Sequence, residues 1–265
     1  MYSAPALLLR YFSFYREAFH PKGHGMHSPF VYRFIREVLQ DRTIYPEYRQ
    51  WNTWRKELLR DHSLLFMQEM GAGSITGSRS HKSVSGLLKT AAKSPRTAKL
   101  LFRIARYFQP DRIIELGTSI GMSTAFFSLA RPTASIHTLE GMHSLANRAK
   151  GQFSDWGLKN IQVHEGNFDE QLLPLLEKTG TPDLVFVDGN HRKEPTLRYF
   201  NWLADRMAPE GILIFDDIHW SAEMEEAWEL IKADSRVTCS IDLFQLGIIF
   251  FRNEFIVSRH FKVRY

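Results

Sequence analysis

Two short segments of the chain carry acidic side chains directly after an apolar run. The run 184–187 is followed by Asp188 and three residues later by His191, and the run 212–215 is followed by Asp216 and Asp217. If both runs are neighbouring parallel strands, their carboxyl ends meet, and three carboxylates there repel one another unless protons or a cation neutralise them. Such oxygen ligands suit Mg²⁺, Ca²⁺ or Mn²⁺, and a bound cation would lower the pKa of a nearby hydroxyl.

A plainer interpretation gives these acids no metal. Asp188 would then contact only a cofactor, and Asp216 and Asp217 would cap the following helix. Ser221 can cap that helix itself, and two adjacent buried acids are an unusual choice for it, which favours the metal hypothesis. The histidine is open to three roles, because His191 is suited to act as a base near neutral pH, as a metal ligand or as a substrate contact.

Three further histidines lie close together near the start of the chain. They are His20, His24 and His27, within the segment HPKGHGMHSPF. Their irregular spacing around two glycines favours loop and capping roles over a second metal site.

A glycine-containing turn forms a second candidate site. The run 112–116 leads into ELGTSIGMST, whose glycines at 117 and 121 allow a tight strand-to-helix turn and close backbone approach by a ligand. Glu140, at the end of the next apolar run, can accept hydrogen bonds from ribose hydroxyls. The dinucleotide fingerprint GxGxxG and the GKS/GKT phosphate loop are both absent. A structural turn beside a solvated glutamate is the alternative, and we favour the ligand site.

The elements that position these residues alternate along the second half of the chain. Apolar runs separated by helical segments predict an α/β fold, with a doubly wound, mostly parallel sheet of seven strands and helices on both faces. The last two runs are separated by a short connection, which predicts an antiparallel pair at the sheet edge. The predicted strands are 112–116, 136–139, 161–164, 184–187, 212–215, 237–241 and 247–251.

The first half of the chain is predicted to be mostly helical. We predict helices over 8–19, from Ser28-Pro29 to Leu39, and from Trp51 to near Asp61, followed by a small, polar loop over 71–81. Another helix is predicted over 95–108, and one over 222–233 in the second half. The apolar face of the first helix is expected to contain Leu8, Tyr11, Phe12, Tyr15 and Phe19.

The amino-acid composition limits the kinds of protein that this chain can be. The 265 residues carry 34 Lys and Arg against 29 Asp and Glu, a net charge of +5, but residues 1–110 hold 18 basic and 7 acidic residues, a net of +11. The single cysteine, Cys239, excludes internal disulfides and CxxC zinc sites. Apolar runs are too short for a membrane span, and no secretory signal is evident, so a cytoplasmic protein is expected.

The turn and the acid after it resemble the class I S-adenosylmethionine-dependent methyltransferases. ELGTSIGMST resembles their first motif, Glu140 their ribose-binding acid, Gly166-Asn167 their adenine-side turn, and the last two strands their reversed final hairpin, over about residues 95–253. The resemblance implies a Rossmann-like methyltransferase fold. The implied cofactor contacts are Glu115, Gly117, Thr118, Ser119, Gly121, Ser123, Glu140, Asn167 and Asp188.

The acidic segments resemble the metal-dependent O-methyltransferases of the catechol and caffeoyl-CoA kind. The pairing of HGMHSPF near the start with IFDDIHWSAEMEEAW near the end also resembles a group of bacterial methyltransferases without assigned substrates. By the first resemblance Asp188, Asp216 and Asp217 are the metal ligands, with Mg²⁺ or another divalent cation, and His191 falls on the position of the catechol enzyme's base lysine. Asp188 and His191 are therefore the implied catalytic residues.

The leading hypothesis is methyl transfer from S-adenosylmethionine to a hydroxyl of a small molecule. Residues 95–265 would form the methyltransferase domain, and residues 1–94 a helical extension. Its loop 71–94 and its aromatic helices would cover the site, and the alternative for these helices is to pair two subunits as a homodimer. The basic first half leaves RNA or tRNA methylation as an alternative. A non-catalytic cofactor-binding module is a third.

Overall fold

The computed structural model describes residues 1–20, 22–23, 25–68 and 79–265. His24 and residues 71–78 of the predicted loop therefore lie outside the described residues. The helices are α1 Ala4–Glu17, α2 Pro29–Phe34, α3 Pro46–Arg60, α4 Val84–Thr90, α5 Pro95–Phe108, α6 Met122–Ala130, α7 His143–Asp155, α8 Phe168–Thr179, α9 Lys193–Ala204 and α10 Ala222–Ala233. The strands are β1 Leu64–Gln68, β2 Arg79–Ser83, β3 Arg112–Leu116, β4 Ser135–Glu140, β5 Ile161–Glu165, β6 Leu184–Val187, β7 Ile212–Asp216, β8 Cys239–Asp242, β9 Leu246–Phe250 and β10 Arg259–Lys262.

The chain divides into two compact units. The terminal unit contains Met1–Asp41 and Thr179–Tyr265, and the central unit contains Arg42–Lys178. The predicted boundary between residues 94 and 95 stays a prediction.

The central unit is built on three parallel strands in the order β3-β4-β5. Both β3 and β4 are buried along nearly their whole length, although β4 includes the polar residues His137 and Thr138. Helix α5 begins at the predicted Pro95, where Ser94 accepts a hydrogen bond from the Thr97 backbone N–H, and its apolar face is buried. These elements confirm the predicted α/β pattern.

One segment of the central unit differs from its prediction. β1 and β2 form an antiparallel pair, and α4 follows directly after β2. The loop predicted over 71–81, and its extension to 94 as a lid, is therefore wrong for residues 79–90. The segment RSHKS carries no apolar run, so pairing with β1 rather than its own pattern makes it a strand.

The terminal unit contains five strands in the order β10-β8-β9-β7-β6. β6 and β7 are parallel, whereas β9 runs antiparallel to both β7 and β8, which confirms the predicted reversed pair. β10 pairs in parallel with β8 and was not predicted. None of the helices in the described ranges combines the length and the apolar character needed to cross a bilayer.

The helices at the start of the terminal unit are only partly as predicted. The helix predicted from Ser28-Pro29 to Leu39 is present and buries Phe30 and Phe34, but its second half, Ile35–Leu39, is a π-helix. The predicted apolar face of α1 is only partly covered: Leu8 is 55% and Phe12 57% exposed, whereas the Tyr11 ring packs edge-on against Phe244. The residue of α1 that is buried is Phe14, which lies with Ala18 against Phe244.

Candidate active site

The predicted ligand turn connects β3 to α6 in the central unit. The backbone N–H groups of Gly117 and Thr118 both donate to the Leu139 carbonyl of β4, at 3.0 and 3.1 Å. Gly117, Ser119 and Gly121 have positive φ angles of 105°, 49° and 72°. The left-handed backbone at Gly121, the N-cap residue, allows α6 to start at Met122, directly after the turn. Gly117 and Ser119 are partly exposed, so a ligand can approach the turn there.

A carboxylate is buried beneath this turn. Glu115 is 0% exposed and accepts hydrogen bonds from the hydroxyl groups of Ser123 (2.5 Å), Thr138 (2.7 Å) and Thr124. Burial raises the pKa of Glu115 to about 7, although these three hydroxyl groups oppose the shift. Thr118 is also buried, and its hydroxyl lies 2.6 Å from that of Thr138. Glu115, Thr118 and Ser123, three of the predicted cofactor contacts, therefore hold the turn in place from below.

Glu140 joins the turn to the end of β4. One carboxylate oxygen accepts a 2.7 Å hydrogen bond from the Ser119 backbone N–H, and the other accepts a 2.9 Å bond from Met142. Burial raises the pKa of Glu140, while these backbone bonds oppose the shift. These two backbone hydrogen bonds fix the orientation of the Glu140 carboxylate beside the predicted ligand turn. They leave each oxygen with lone pairs that can accept further hydrogen bonds.

Asn167 lies at the start of α8 in the same unit. Its side-chain oxygen accepts a 3.0 Å hydrogen bond from the Asp169 backbone N–H, and the preceding Gly166 donates to the Glu140 carbonyl. The predicted adenine-side turn is thereby connected to Glu140 through the backbone.

The predicted acidic residues belong to the terminal unit. Val187 of β6 is opposite Phe215 of β7 in parallel register, so the residues that follow them, Asp188 and Asp216, lie at the same edge of this strand pair. Asp188, His191 and Asp216 each offer a ligand atom, and these atoms all lie within 4.8 Å of one another. Asp216 is 2% exposed, and His191 Nε2 lies 3.6 Å from Asp188 Oδ1.

Asp217 is not brought into this group of three. It follows the last residue of β7 and has a left-handed backbone, with a φ of 54°. Asp217 also does not cap α10, since the Ser221 hydroxyl accepts the capping hydrogen bond from Met224, as predicted.

Sequence reasoning missed a charged network beside the acidic group. His219 Nε2 lies 2.9 Å from Asp242 Oδ2, and its Nδ1 lies 3.0 Å from Glu225 Oε1. Burial alone would lower the pKa of His219, but the bonds to both carboxylates raise it. Glu225 also accepts hydrogen bonds from the Tyr2 hydroxyl at 2.8 Å and from Arg10 at 2.7 Å.

This network fixes the N-terminal helix to the connection that follows β7. The Tyr2 backbone N–H adds a 3.0 Å hydrogen bond to the Trp220 carbonyl. No spacing in the sequence connects residues so far apart along the chain. The one available signal was the histidine two residues after Asp217.

A second missed contact supports the ligand turn. Trp51 of α3 is 1% exposed, and its indole N–H donates a 2.9 Å hydrogen bond to the carbonyl of Met122, the first residue of α6. The helix containing Trp51 was predicted, but its partner was not.

Of the N-terminal histidines, His20 accepts a 3.2 Å hydrogen bond at Nδ1 from the Lys22 backbone N–H.

Comparison with known proteins finds similarity to methyltransferases. Residues 114–218 match a family described as a methyltransferase domain. The catechol O-methyltransferase of Niastella koreensis is 30% identical over 128 residues, which cover 47% of this chain and 57% of that protein. The chain thus spans less than two thirds of the length of this curated relative.

Solved structures agree with this result. The O-methyltransferase TomG of Streptomyces achromogenes, solved in complex with S-adenosylmethionine, is 25% identical with a TM-score of 0.53, covering 61% of this chain and 82% of that one. The S-adenosylhomocysteine-bound methyltransferase of Podospora anserina shares the fold at 16% identity, with a TM-score of 0.59 and coverage of 86% and 97%. The chain is therefore similar to S-adenosylmethionine-dependent methyltransferases, and to O-methyltransferases among them.

Proposed function

We propose that this chain transfers the methyl group of S-adenosylmethionine to a hydroxyl oxygen of a small molecule. The observation that carries this proposal is the convergence of two carboxylates and an imidazole, Asp188, Asp216 and His191, within a chain whose matched segment 114–218 is a methyltransferase domain. The charges of this group would help to remove the proton from the acceptor hydroxyl. The similarity to catechol and other O-methyltransferases supports oxygen as the methylated atom.

In the proposed reaction the central unit binds the cofactor. The partly exposed residues Gly117 and Ser119 would contact its methionine part, and Glu140 would accept hydrogen bonds from its ribose hydroxyls. Glu115 and Ser123 would act indirectly, by holding the turn. The sulfonium methyl is already activated, so the protein contributes chiefly by alignment: the acceptor oxygen forms a bond to the methyl carbon as the sulfur–carbon bond breaks.

The acceptor hydroxyl must lose its proton during transfer. We propose that the acidic group binds a divalent cation, because its three ligand atoms lie within 4.8 Å of one another and need only small movements to share one ion with bonds of about 2.1 Å. When bound, the cation would lower the pKa of the acceptor hydroxyl. In the absence of a cation, Asp188 and His191 would act as the proton-accepting pair instead. The sequence-based assignment of Asp217 as a ligand stays a prediction.

Cofactor binding tests the first part of the proposal. Calorimetry should show binding of S-adenosylmethionine to the wild-type chain, and Glu140→Gln should weaken it about 10-fold or more, because a charge-assisted hydrogen bond contributes about 1.5–3 kcal/mol. Glu165→Gln is a matched control, since Glu165 is the residue paired with Glu140 on β5. No binding at millimolar cofactor would refute the proposal.

Methyl transfer tests the second part. Labelled S-adenosylmethionine with catechol as a probe acceptor should give an O-methylated product, and Asp216→Asn should reduce its rate while cofactor binding persists. Labelling of tRNA in place of catechol would support the RNA alternative instead.

A further inference from the structure

The three side chains that converge in the terminal unit differ from the set implied by the metal-dependent relatives. That set contains three acids, whereas the structure groups Asp188 and Asp216 with His191. As a deepening of the proposed function, on which it rests, we propose that His191 is the third ligand of a divalent-cation site. An imidazole nitrogen then takes the place of an oxygen, and the site takes Mn²⁺, Co²⁺ or Zn²⁺ in preference to Mg²⁺.

The spacing of the ligand atoms is that of ligands sharing an ion. His191 Nε2 and Asp188 Oδ1 are 3.6 Å apart, which is longer than a hydrogen bond. Two ligands of one cation with bonds of about 2.1 Å lie about 3 to 4 Å from each other. The whole group lies within 4.8 Å, so small side-chain movements suffice to bring all three atoms to one ion.

The proposed metal-binding group is buried on one side and exposed to solvent on the other. Asp216 is 2% exposed, whereas the side chains of Asp188 and His191 are 15% and 27% exposed. Three protein ligands with a solvent-facing side leave coordination positions for water or for an acceptor oxygen, as in catalytic rather than structural metal sites.

The backbone explains why His191 and not Asp217 completes the set. His191 follows Asp188 by three residues, after a left-handed residue at Asn190 (φ 56°) that turns the chain back. Asp217 is adjacent to Asp216 and itself left-handed, with a φ of 54°. The Asp217 backbone carbonyl accepts a 2.9 Å hydrogen bond from Trp220, which fixes this turn.

The donor set determines the class of metal. Two carboxylates and a neutral imidazole supply two negative charges rather than three, and Mg²⁺ sheds its water reluctantly and prefers oxygen. Imidazole suits transition metals, whose affinities for such sites exceed that of Mg²⁺. We therefore expect Mn²⁺ to bind at least about tenfold more tightly than Mg²⁺.

Mn²⁺ provides a direct test, because its ligands can be identified without any turnover. Titration of the full chain with Mn²⁺, followed by loss of the free-ion paramagnetic signal, should reveal one site that Mg²⁺ displaces only in large excess. Pulsed paramagnetic resonance of bound Mn²⁺ should show coupling to a nitrogen nucleus. His191→Gln should remove that coupling and weaken Mn²⁺ about tenfold or more, and His191→Asp should narrow the preference for Mn²⁺ over Mg²⁺.

Two aspartate variants form a matched pair. Asp216→Asn should abolish Mn²⁺ binding, whereas Asp217→Asn should leave both affinity and nitrogen coupling unchanged, with circular dichroism confirming that each variant is folded. The inference is overturned if wild-type Mn²⁺ shows no nitrogen coupling, if Asp217→Asn weakens binding as much as Asp216→Asn, or if Mn²⁺ does not bind. Binding of S-adenosylmethionine without metal keeps the methyltransferase proposal intact in all three cases.

Discussion

The turn between β3 and α6 should not tolerate a side chain at Gly121. This residue has a φ of 72°, which side chains rarely adopt, and an added Cβ would lie 2.5 Å from two ring atoms of Phe153. The ring cannot simply move away, because Phe153 is 3% exposed and packs in a core cluster with Trp54. Gly121→Ala therefore combines backbone strain with a steric clash.

The two costs can be estimated separately. A left-handed alanine costs about 1–2 kcal/mol, and overpacking of a tight core costs about 1–3 kcal/mol. Together Gly121→Ala should lower the free energy of unfolding by about 2–5 kcal/mol. Each kcal/mol lowers the Tm of a chain of this size by about 2–4 °C, so the Tm should fall by at least about 4 °C.

Urea unfolding of four variants tests this reasoning. Gly151→Ala is the matched control, because Gly151 lies within α7 with no atom within 4 Å of an added Cβ, and it should stabilise by about 0.5–1 kcal/mol. Gly121→Ala combined with Phe153→Leu should show a favourable coupling of about 1–3 kcal/mol relative to the two single changes. Strict additivity in this cycle, or a Gly121→Ala protein as stable as Gly151→Ala, would refute the clash.

Three further outcomes follow from buried groups. Because burial raises the pKa of Glu115 to about 7, the folded state holds a proton that the unfolded chain loses near pH 4.5, so Glu115 costs stability as the pH rises from about 4.5 to 7. As the pH rises from 4.5 to 8, the free energy of unfolding of Glu115→Gln in urea should therefore increase by up to about 3 kcal/mol relative to that of the wild type. A difference between the two proteins that does not change with pH would contradict this. Cys239 is fully buried with its pKa raised by burial to about 12, so a thiol reagent at pH 8 should label it only in denaturant. Trp51→Phe removes the hydrogen bond to Met122 and should lower the free energy of unfolding by about 1–3 kcal/mol, whereas a neutral result would show that this bond contributes nothing.

Much of the fold was predictable because its elements carry local signals. Helix α5 has a serine cap, a proline at its first position and an apolar face, and its predicted bounds agree with the structure. The buried parallel strands β6 and β7 were also predictable, because each is a short apolar run. β10 and β2 carry no such signal, since each is a polar segment that becomes a strand by pairing with a distant partner.

The candidate site was predictable only where chain topology determines it. The proximity of Asp188 and Asp216 follows from the parallel register of β6 and β7. The inclusion of His191 depends on a left-handed turn at Asn190, which no apolar pattern specifies. Glu115 illustrates the opposite problem: its position in the motif was recognised, but only the structure shows that its carboxylate is enclosed by hydroxyl groups.

Helix α1 shows what amphipathic spacing leaves undetermined. The pattern identified an apolar face but not whether the protein covers it, and in the structure Leu8 and Phe12 are exposed. What holds the helix is Phe14 against Phe244 together with the ion pair between Arg10 and Glu225. Glu225 comes from the acidic second half of the sequence, so at least this positive charge of the basic first half serves to attach the N-terminal helix within its own unit. That attachment weakens the case for nucleic acid, because a charge already paired at 2.7 Å is poorly placed to contact phosphate.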